Sequence, residues 1–342
     1  SSDLDQAGLF SWIARKTGCT VDWARIDGCV TKGEFYEALR SEAKEYSAIS
    51  FVPDYPARDD VFYCHPDMPN PSDGHRAFYG FLDFFNPDGD INRSLLAAFV
   101  MAPIFYRPMV NRPMWIIDSP NGQGSGKSKV PEMVALLYGK DETHGEPIDV
   151  SMSEIACNYT EVIKRVISTK GRNARIFRID NVEGVLKSAK LSMLVTTGSI
   201  TGRASYGRDE ESRPNNLTYV ATVNGATVDT DIASRSYYLM VKKPRRMNPS
   251  WEDDVISYIA RNRMQIFADI IDILDTHTPF GIDPATRTPK FETTVLQAAC
   301  GSPEQYQRVI EFLLGKKEET NTDDDLAKRI EEEIEIQMLS VR

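Results

Sequence analysis

A glycine-rich loop carries the residues with the clearest chemical potential in this sequence. The apolar run Trp115–Asp118 leads into Ser119-Pro-Asn-Gly-Gln-Gly-Ser-Gly-Lys-Ser128. The spacing of a phosphate-binding P-loop, G-x-x-x-x-G-K-[ST], aligns with the end of this stretch and puts Asn121 at the first glycine position. In such a loop, backbone N–H groups and the lysine bind phosphates, and the serine hydroxyl binds Mg²⁺. The alternative is a flexible loop followed by a surface lysine. The predicted phosphate-binding residues are Asn121, Gly122, Gly124, Ser125, Gly126, Lys127, Ser128 and Lys129.

A second candidate position ends a later apolar run, residues 174–181. A carboxylate at the end of such a strand, here Asp180, is predicted to hold Mg²⁺ together with Ser128. An ordinary turn is the alternative, because Asp and Asn are common in turns. Asn181 stands where many ATPases with this pattern carry a glutamate that activates water. Glu183 is therefore the nearest candidate for a general base.

Bulk composition narrows the class of protein. The chain has 342 residues and a formal net charge of −10, which argues against a surface coated in basic nucleic-acid-binding residues. No apolar run approaches the ~20 residues of a membrane span, and the five scattered cysteines do not suggest a disulfide framework. A protein without membrane association, in the cytoplasm of a bacterium or of a virus-infected host, is expected. Because the chain starts at Ser1 rather than methionine, a fragment of a longer protein is also expected.

Alternation of apolar strands and helices from Met114 onward predicts the elements that must position these residues. The pattern is typical of an α/β fold, in which a parallel sheet is covered by helices. The predicted organisation is a mainly helical module over 1–88, a core over 89–245, a helical lid over 246–280, and a small helical or winged module with an acidic tail over 281–342. Strands are predicted at 114–118, 147–150, 174–181, 191–197, 216–224 and 237–241, helices at 153–169, 229–234 and 251–275, and a hairpin at 198–208.

The order of these parts resembles the ATPase core of superfamily 3 helicases and their AAA+ relatives. The stretches that carry the resemblance are the P-loop, the Asp180 strand, Thr201-Gly-Arg203, Pro214-Asn-Asn216 and Asp231-Ile-Ala-Ser-Arg235, and primase-helicase-type replication proteins of phages and mobile elements are the most similar group. The resemblance implies a P-loop NTPase fold with ATP and Mg²⁺ as cofactors. It also implies that Asn224 senses the attacking water or the γ-phosphate, and that Arg235 is an arginine finger reaching a neighbouring subunit's nucleotide. Taken singly, Asn224 could be a strand-end cap and Arg235 a surface arginine.

The resemblance further implies that the hairpin grips DNA in the central channel of a ring, a hexamer. Arg203, Tyr206 and Arg208 supply charge and a stacking face suited to single-stranded DNA without base reading. The alternative is that Arg203 braces the hairpin or a neighbouring subunit. Residues 316–335 carry nine acidic and four basic side chains, and this segment is expected to be a solvated tail or a partner-binding helix.

The sequence therefore predicts an oligomeric, ATP-hydrolysing DNA helicase or translocase of the phage or mobile-element replication type, with a primase or polymerase domain as a further partner. Two alternatives stay open. One is an AAA+ remodelling or loading ATPase that acts on a protein. The other is a nucleotide-gated assembly ATPase in phage defence, which the amide of Asn181 keeps open.

Overall fold

The computed structural model describes residues 6–18, 23, 29–44, 46, 48–106, 112–120, 122, 124–141, 145–203, 210–243 and 248–320. The chain divides into two compact units, residues 1–49 with 60–62, and residues 50–59 with 63–342.

The first unit contains helices α1 (Gln6–Thr17) and α2 (Lys32–Glu42). The Thr31 hydroxyl accepts from the Glu34 backbone N–H while the Glu34 carboxylate accepts from Thr31, which is a capping box that fixes the start of α2. Phe10, Trp23 and Phe35 form an aromatic cluster with ring centroids 5.1 to 6.0 Å apart. Two short strands, β1 (Ala48–Ser50) and β2 (Val61–Tyr63), pair with each other.

The second unit is built on a five-stranded sheet, as the alternation of strands and helices predicts. The strands are β3 (Met114–Asp118), β4 (Ile148–Val150), β5 (Ile176–Val182), β9 (Thr218–Val223) and β11 (Ser236–Met240). Their order is β11-β3-β9-β5-β4, and every neighbouring pair is parallel. Since β9 lies between β3 and β5, its carboxyl end separates the ends of the two strands from which the sequence-predicted site emerges.

Helices cover both faces of this sheet. Along β3, Trp115 and Ile117 face one hydrophobic cluster, whereas Met114 and Ile116 face the other. This alternation is the period of two that a β-strand imposes, and all four side chains are almost fully buried. The fold is therefore a three-layer α/β arrangement. One layer holds α3 (Arg76–Leu82), α4 (Gly89–Met101), α5 (Lys129–Leu137), α11 (Trp251–Thr276), α12 (Pro289–Phe291), a π-helical turn (Glu292–Leu296), α13 (Gln297–Cys300) and α14 (303–320), and the other holds α6 (Met152–Cys157), α7 (Tyr159–Ile167) and α9 (Ala189–Thr196).

Smaller elements complete the unit: a 3₁₀ turn (Asp73–His75), α8 (Thr169–Asn173), the strand pair β6 (Val185–Leu186) and β10 (Thr227–Val228), the antiparallel hairpin β7 (Ser199–Arg203) and β8 (Glu210–Pro214), and α10 (Thr230–Ser234). Residues 281–320, from the stretch predicted to be a small helical or winged module, contain helices and no strand. The acidic tail beyond Thr320 lies outside the described residues.

The hairpin predicted over 198–208 extends to Pro214, because its second strand is Glu210–Pro214. Two further sequence predictions are wrong in the type or the continuity of an element. Of residues 191–197, predicted as a strand, 191–196 belong to helix α9 and Thr197 caps its end. The Ser188 hydroxyl caps this helix at the Leu191 N–H, and Leu191, Leu194 and Val195 are buried together on one helical face. The continuous helix predicted over 153–169 is broken at Asn158, whose φ of −123° and ψ of 36° are not helical.

Candidate functional site

The loop between β3 and α5 adopts a glycine-dependent conformation at the carboxyl edge of the sheet. Gly122, Gly124 and Gly126 all have positive φ, between 68° and 82°. L-residues with a Cβ adopt this region at a cost of roughly 1–2 kcal/mol, which explains the repeated glycines. The Ser125 hydroxyl donates to the Gly122 carbonyl at 3.3 Å and closes the turn. Asn121 lies outside the described residues.

Lys127 is the cation at the centre of the site and is only 7% exposed. Its ammonium donates to the Asn224 side-chain oxygen and to the Val223 carbonyl, each at 2.5 Å, and lies 3.6 Å from the Asp118 carboxylate. A buried ammonium needs such oxygen partners to offset its lost hydration. The strand ends of β3 and β9 thus hold the lysine in the cleft by contacts that phosphate oxygens can replace.

Ser128 and Asp180 meet across this cleft. The Ser128 hydroxyl donates to Asp180 Oδ1 at 2.7 Å, and the Thr222 hydroxyl donates to the same oxygen at 2.5 Å. Burial alone would raise the pKa of Asp180, but the hydrogen bonds from Thr222 and Ser128, with the charge of Arg178, lower it below its ordinary 3.8. Asp180 is therefore an ionised carboxylate at neutral pH.

Arg178 connects the end of the glycine loop to the sheet. Its guanidinium binds both oxygens of Asp149, at 2.5 and 2.9 Å, and donates to the Ser128 carbonyl at 2.9 Å. The same side chain lies two residues before Asp180, on the same face of β5. Arg178 therefore fixes the position of Ser128 relative to Asp180.

A strand irregularity aims Asn181 into the cleft. The pairing of β5 with β9 shifts between Ile179 and Val182, and Asn181 within the shift has a φ of 53°. The Asn181 side-chain oxygen accepts from the Asn224 amide, and its own amide donates to Glu183 at 3.4 Å. Asn181 lines the cleft, whereas the exposed Glu183 stands behind it.

The cleft has a volume of about 240 Å³. It brings together most of the sequence-predicted phosphate-binding residues with Asn224, and adds Asn181 and Thr222. The residues that line it are Gly124, Ser125, Gly126, Lys127, Ser128, Lys129, Asn181, Thr222 and Asn224. The Lys129 ammonium pairs with Glu132 at 3.1 Å and Glu252 at 2.9 Å, so its charge is already compensated.

The oxygen atoms of Ser128 and Asp180 fit Mg²⁺. This ion prefers hard oxygen ligands and commonly takes one or two from the protein, with water and substrate phosphates supplying the others. Among the described residues there is no cluster of three or more His, Cys, Asp or Glu side chains arranged to hold a metal, so a metal here would depend on such outside ligands. Bound Mg²⁺ would neutralise phosphate charge.

Arg235 lies at the opposite edge of the sheet. Its carbonyl accepts from the Met114 N–H at 3.0 Å, at the beginning of β3, whereas the glycine loop follows the end of that strand. The five residues of β3 separate the two edges by roughly 13 Å. Arg235 pairs with Asp231 at 3.1 Å. A hydrogen bond from Ser192 lowers the pKa of Asp231, and Arg235 lowers it further, whereas burial acts in the opposite direction.

The hairpin holds Arg203 as an exposed residue at the end of β7, directly opposite Glu210. Tyr206 and Arg208, the other two predicted DNA-binding residues, lie outside the described residues. Gly202 packs its backbone against Ile163, which places the hairpin on α7.

Sequence reasoning missed Arg178 and Thr222 as parts of the site. Arg178 lies two residues before Asp180 in β5, and Thr222 lies two residues before Asn224, which directly follows β9. Since alternate residues of a strand share a face, this spacing is the signal that could have found them.

No protein-family model and no curated protein matches the sequence. Among solved structures, the fold is similar to the apo structure of the NrS-1 C-terminal region, with 12% sequence identity and a TM-score of 0.41 over 90% of this chain. The chain spans 66% of the length of that structure. A small-molecule-bound structure of JCV helicase is 9% identical, with a TM-score of 0.28, over 72% of this chain and 67% of that one. At such distances, function has to be inferred from the site.

Proposed function

We propose that the chain is a P-loop ATPase that assembles as a ring oligomer and uses ATP hydrolysis to move along or separate DNA strands. The observation that carries the proposal is the meeting of Lys127, Ser128 and Asn224 in one cleft at the carboxyl edge of a parallel sheet, with Asp180 hydrogen-bonded to Ser128. Glycine-loop N–H groups, an ammonium and a carboxylate-hydroxyl pair are the complement of a nucleoside triphosphate with Mg²⁺.

Each group has a defined task in this proposal. Lys127 exchanges its contacts with Asn224 and Val223 for β- and γ-phosphate oxygens, and Ser128 with Asp180 holds Mg²⁺. Asn224 then becomes free to orient the attacking water. The water oxygen bonds to the γ-phosphorus, the bond from that phosphorus to the β–γ bridging oxygen breaks, and ADP leaves while the water proton passes to a nearby base. Glu183, whose carboxylate accepts from the Asn181 amide on the cleft wall, is the proposed base.

The DNA part of the proposal rests on the hairpin. Arg203 is exposed at the end of strand β7 of the hairpin, which suits contact with a phosphate backbone. Tyr206 and Arg208 follow in the same connection and are proposed to add a stacking face and a second charge. A helix able to cross a membrane was not found among the described residues.

One observation favours a second function. Asn181, an amide that cannot accept a proton as a base, occupies the cleft wall in front of Glu183. A protein built in this way would bind ATP and hydrolyse it slowly, as a nucleotide-gated assembly does. This alternative predicts that ATP drives oligomer formation with little turnover.

Steady-state ATP hydrolysis, measured with and without single-stranded DNA, separates these functions. The proposal predicts a several-fold rise with DNA that is lost in Lys127→Ala. Lys170→Ala is the matched control, because Lys170 is an exposed surface lysine paired with Glu146. An ATP hydrolysis rate that does not change when DNA is added would indicate a protein substrate instead. Nucleotide-dependent assembly without ATP hydrolysis would indicate the gated alternative.

A further inference from the structure

A second arginine stands beside Arg235 at the amino edge of the sheet. Arg287, from the segment between α11 and α12, reaches Asp231 Oδ1 at 3.9 Å, the same oxygen that Arg235 contacts at 3.1 Å. The Arg287 side chain is 57% exposed and that of Arg235 is 26% exposed. Two guanidinium groups that share one carboxylate oxygen are also spaced to share the oxygens of one phosphate.

The loop that carries Arg287 is tied down on both sides. The hydroxyls of Thr286 and Thr288 each lie within hydrogen-bond distance of the Tyr237 hydroxyl, at 3.1 and 3.0 Å. The backbone N–H groups of Ala285 and Thr286 donate to the fully buried carboxylate of Glu292, at 2.9 and 2.8 Å. Tyr237 belongs to β11, two residues after Arg235. The positions of the two arginines are therefore set by the same strand.

The surroundings are cationic. Arg235 and Arg287 line a small surface pocket together with the buried Arg112 and Thr288 and the exposed Thr196. Burial lowers the pKa of Arg112 only to about 10, so it keeps its charge at neutral pH. Arg235 and Arg287 both contact Asp231, and Arg112 adds a third positive charge to the lining of the pocket. This arrangement is complementary to an approaching anion.

That anion cannot be the nucleotide bound by the same chain. The glycine loop lies at the carboxyl edge of β3, and Arg235 with Arg287 lies at the amino edge, with the length of the strand between them. The pair can contact a bound triphosphate only if another molecule presents it.

We propose that Arg287 acts with Arg235 as a two-arginine clamp on the γ-phosphate of ATP bound in the cleft of a second copy of this chain. The inference rests on the proposed ATPase function and deepens it. On assembly the two guanidinium groups leave Asp231 and bind γ-phosphate oxygens, where they stabilise the charge that develops as the bond to ADP breaks. Neither arginine gains or loses a proton in this step. Positive charge fixed at the transferred group is the main source of catalysis in phosphoryl transfer.

The test compares Arg287→Ala with Lys290→Ala, which removes an equivalent charge from an exposed residue of α12 that does not line the pocket. Arg287→Ala is expected to lower kcat about 100-fold while monomer affinity for ATP stays within about twofold. Arg287→Lys, which keeps the charge but loses the planar fork, should recover part of the rate. Equal rates for wild type and Arg287→Ala, in a preparation that hydrolyses ATP, would overturn the clamp and leave the proposed function standing.

Mixing variants tests whether the clamp acts between copies. Lys127→Ala subunits keep both arginines but lack the phosphate lysine, and Arg287→Ala subunits have the reverse defect. Each is expected to be nearly inactive alone, and an equimolar mixture should regain activity at the junctions where an intact cleft faces intact arginines. A mixture no more active than its components contradicts action in trans. A wild-type protein without ATPase activity under any condition would refute the proposed function itself.

Discussion

Replacing Arg178 with methionine is expected to lower the free energy of unfolding and also to weaken the affinity for Mg²⁺. The change removes two contacts with Asp149 and one with the Ser128 carbonyl, while the methionine stem fills most of the space. Arg178 is 12% exposed, but Asp149 is 52% exposed, so the ion pair is screened and is worth at most about 1 kcal/mol. The bond to the Ser128 carbonyl has a charged donor and is worth about 1.5–3 kcal/mol. The carbonyl contact is therefore the larger part of an expected loss of about 2–3 kcal/mol.

Urea unfolding measures this loss as a change in the free energy of unfolding, and Arg93→Met is the matched control. Arg93 is 41% exposed and paired with the exposed Asp83, so its removal should cost less than about 1 kcal/mol. The second readout is the Mg²⁺ concentration that half-saturates ATP turnover. It should rise in Arg178→Met, because Ser128 loses its anchor relative to Asp180. The reasoning is refuted if the two variants unfold at the same urea concentration and Arg178→Met keeps the wild-type Mg²⁺ dependence.

Two further predictions concern pH and the water-activating position. Burial lowers the pKa of His277 below its ordinary 6.5, so the folded state favours the neutral ring. This contribution to stability is complete above pH 6.5 and is lost as the pH falls through the folded pKa, so the free energy of unfolding should decrease on acidification from pH 7.5 to 5.5. The His277→Gln variant should show a flatter profile, and an unchanged slope would contradict the assignment. Asn181→Asp places a second carboxylate on the cleft wall and is expected to raise kcat several-fold. Glu183→Gln removes the proposed base and should lower kcat about 100-fold in steady-state kinetics; a wild-type kcat in this variant would contradict the assignment of Glu183.

The sheet strands were predictable because each combines a short apolar run with a polar stop. The first four residues of Met114–Asp118 and all six of Thr218–Val223 are buried, in keeping with the continuous apolar runs seen in the sequence. Residues 191–197 mislead for the same reason, since Leu-Ser-Met-Leu-Val is equally apolar as a strand. What decides in favour of a helix is the Ser188 cap and a buried face on one side only.

The site was predictable as a set of residue types but not as a set of contacts. The glycine spacing and the Asp180 strand end are local patterns. The bond from Arg178 to the Ser128 carbonyl joins residues 50 positions apart and depends on which strands are neighbours. The positive φ of Asn181, which turns its amide into the cleft, arises from a register shift against β9 that is invisible along the chain.

The long helix α11 runs from the glycine loop toward the segment that carries Arg287. Near its start, Glu252 pairs with Lys129 beside the glycine loop, and near its end the Leu274 carbonyl accepts from Tyr55, before the chain continues to Arg287. At 26 residues the helix is about 39 Å long, so a tilt of about 5° at the loop displaces its far end by about 3 Å. A displacement of about 3 Å is large enough to break or form a hydrogen bond. Under the proposed assembly, a change at the glycine loop of one copy would be transmitted through α11 to the surface around Arg287 that contacts the next copy, so ATP hydrolysis in neighbouring copies would be coupled.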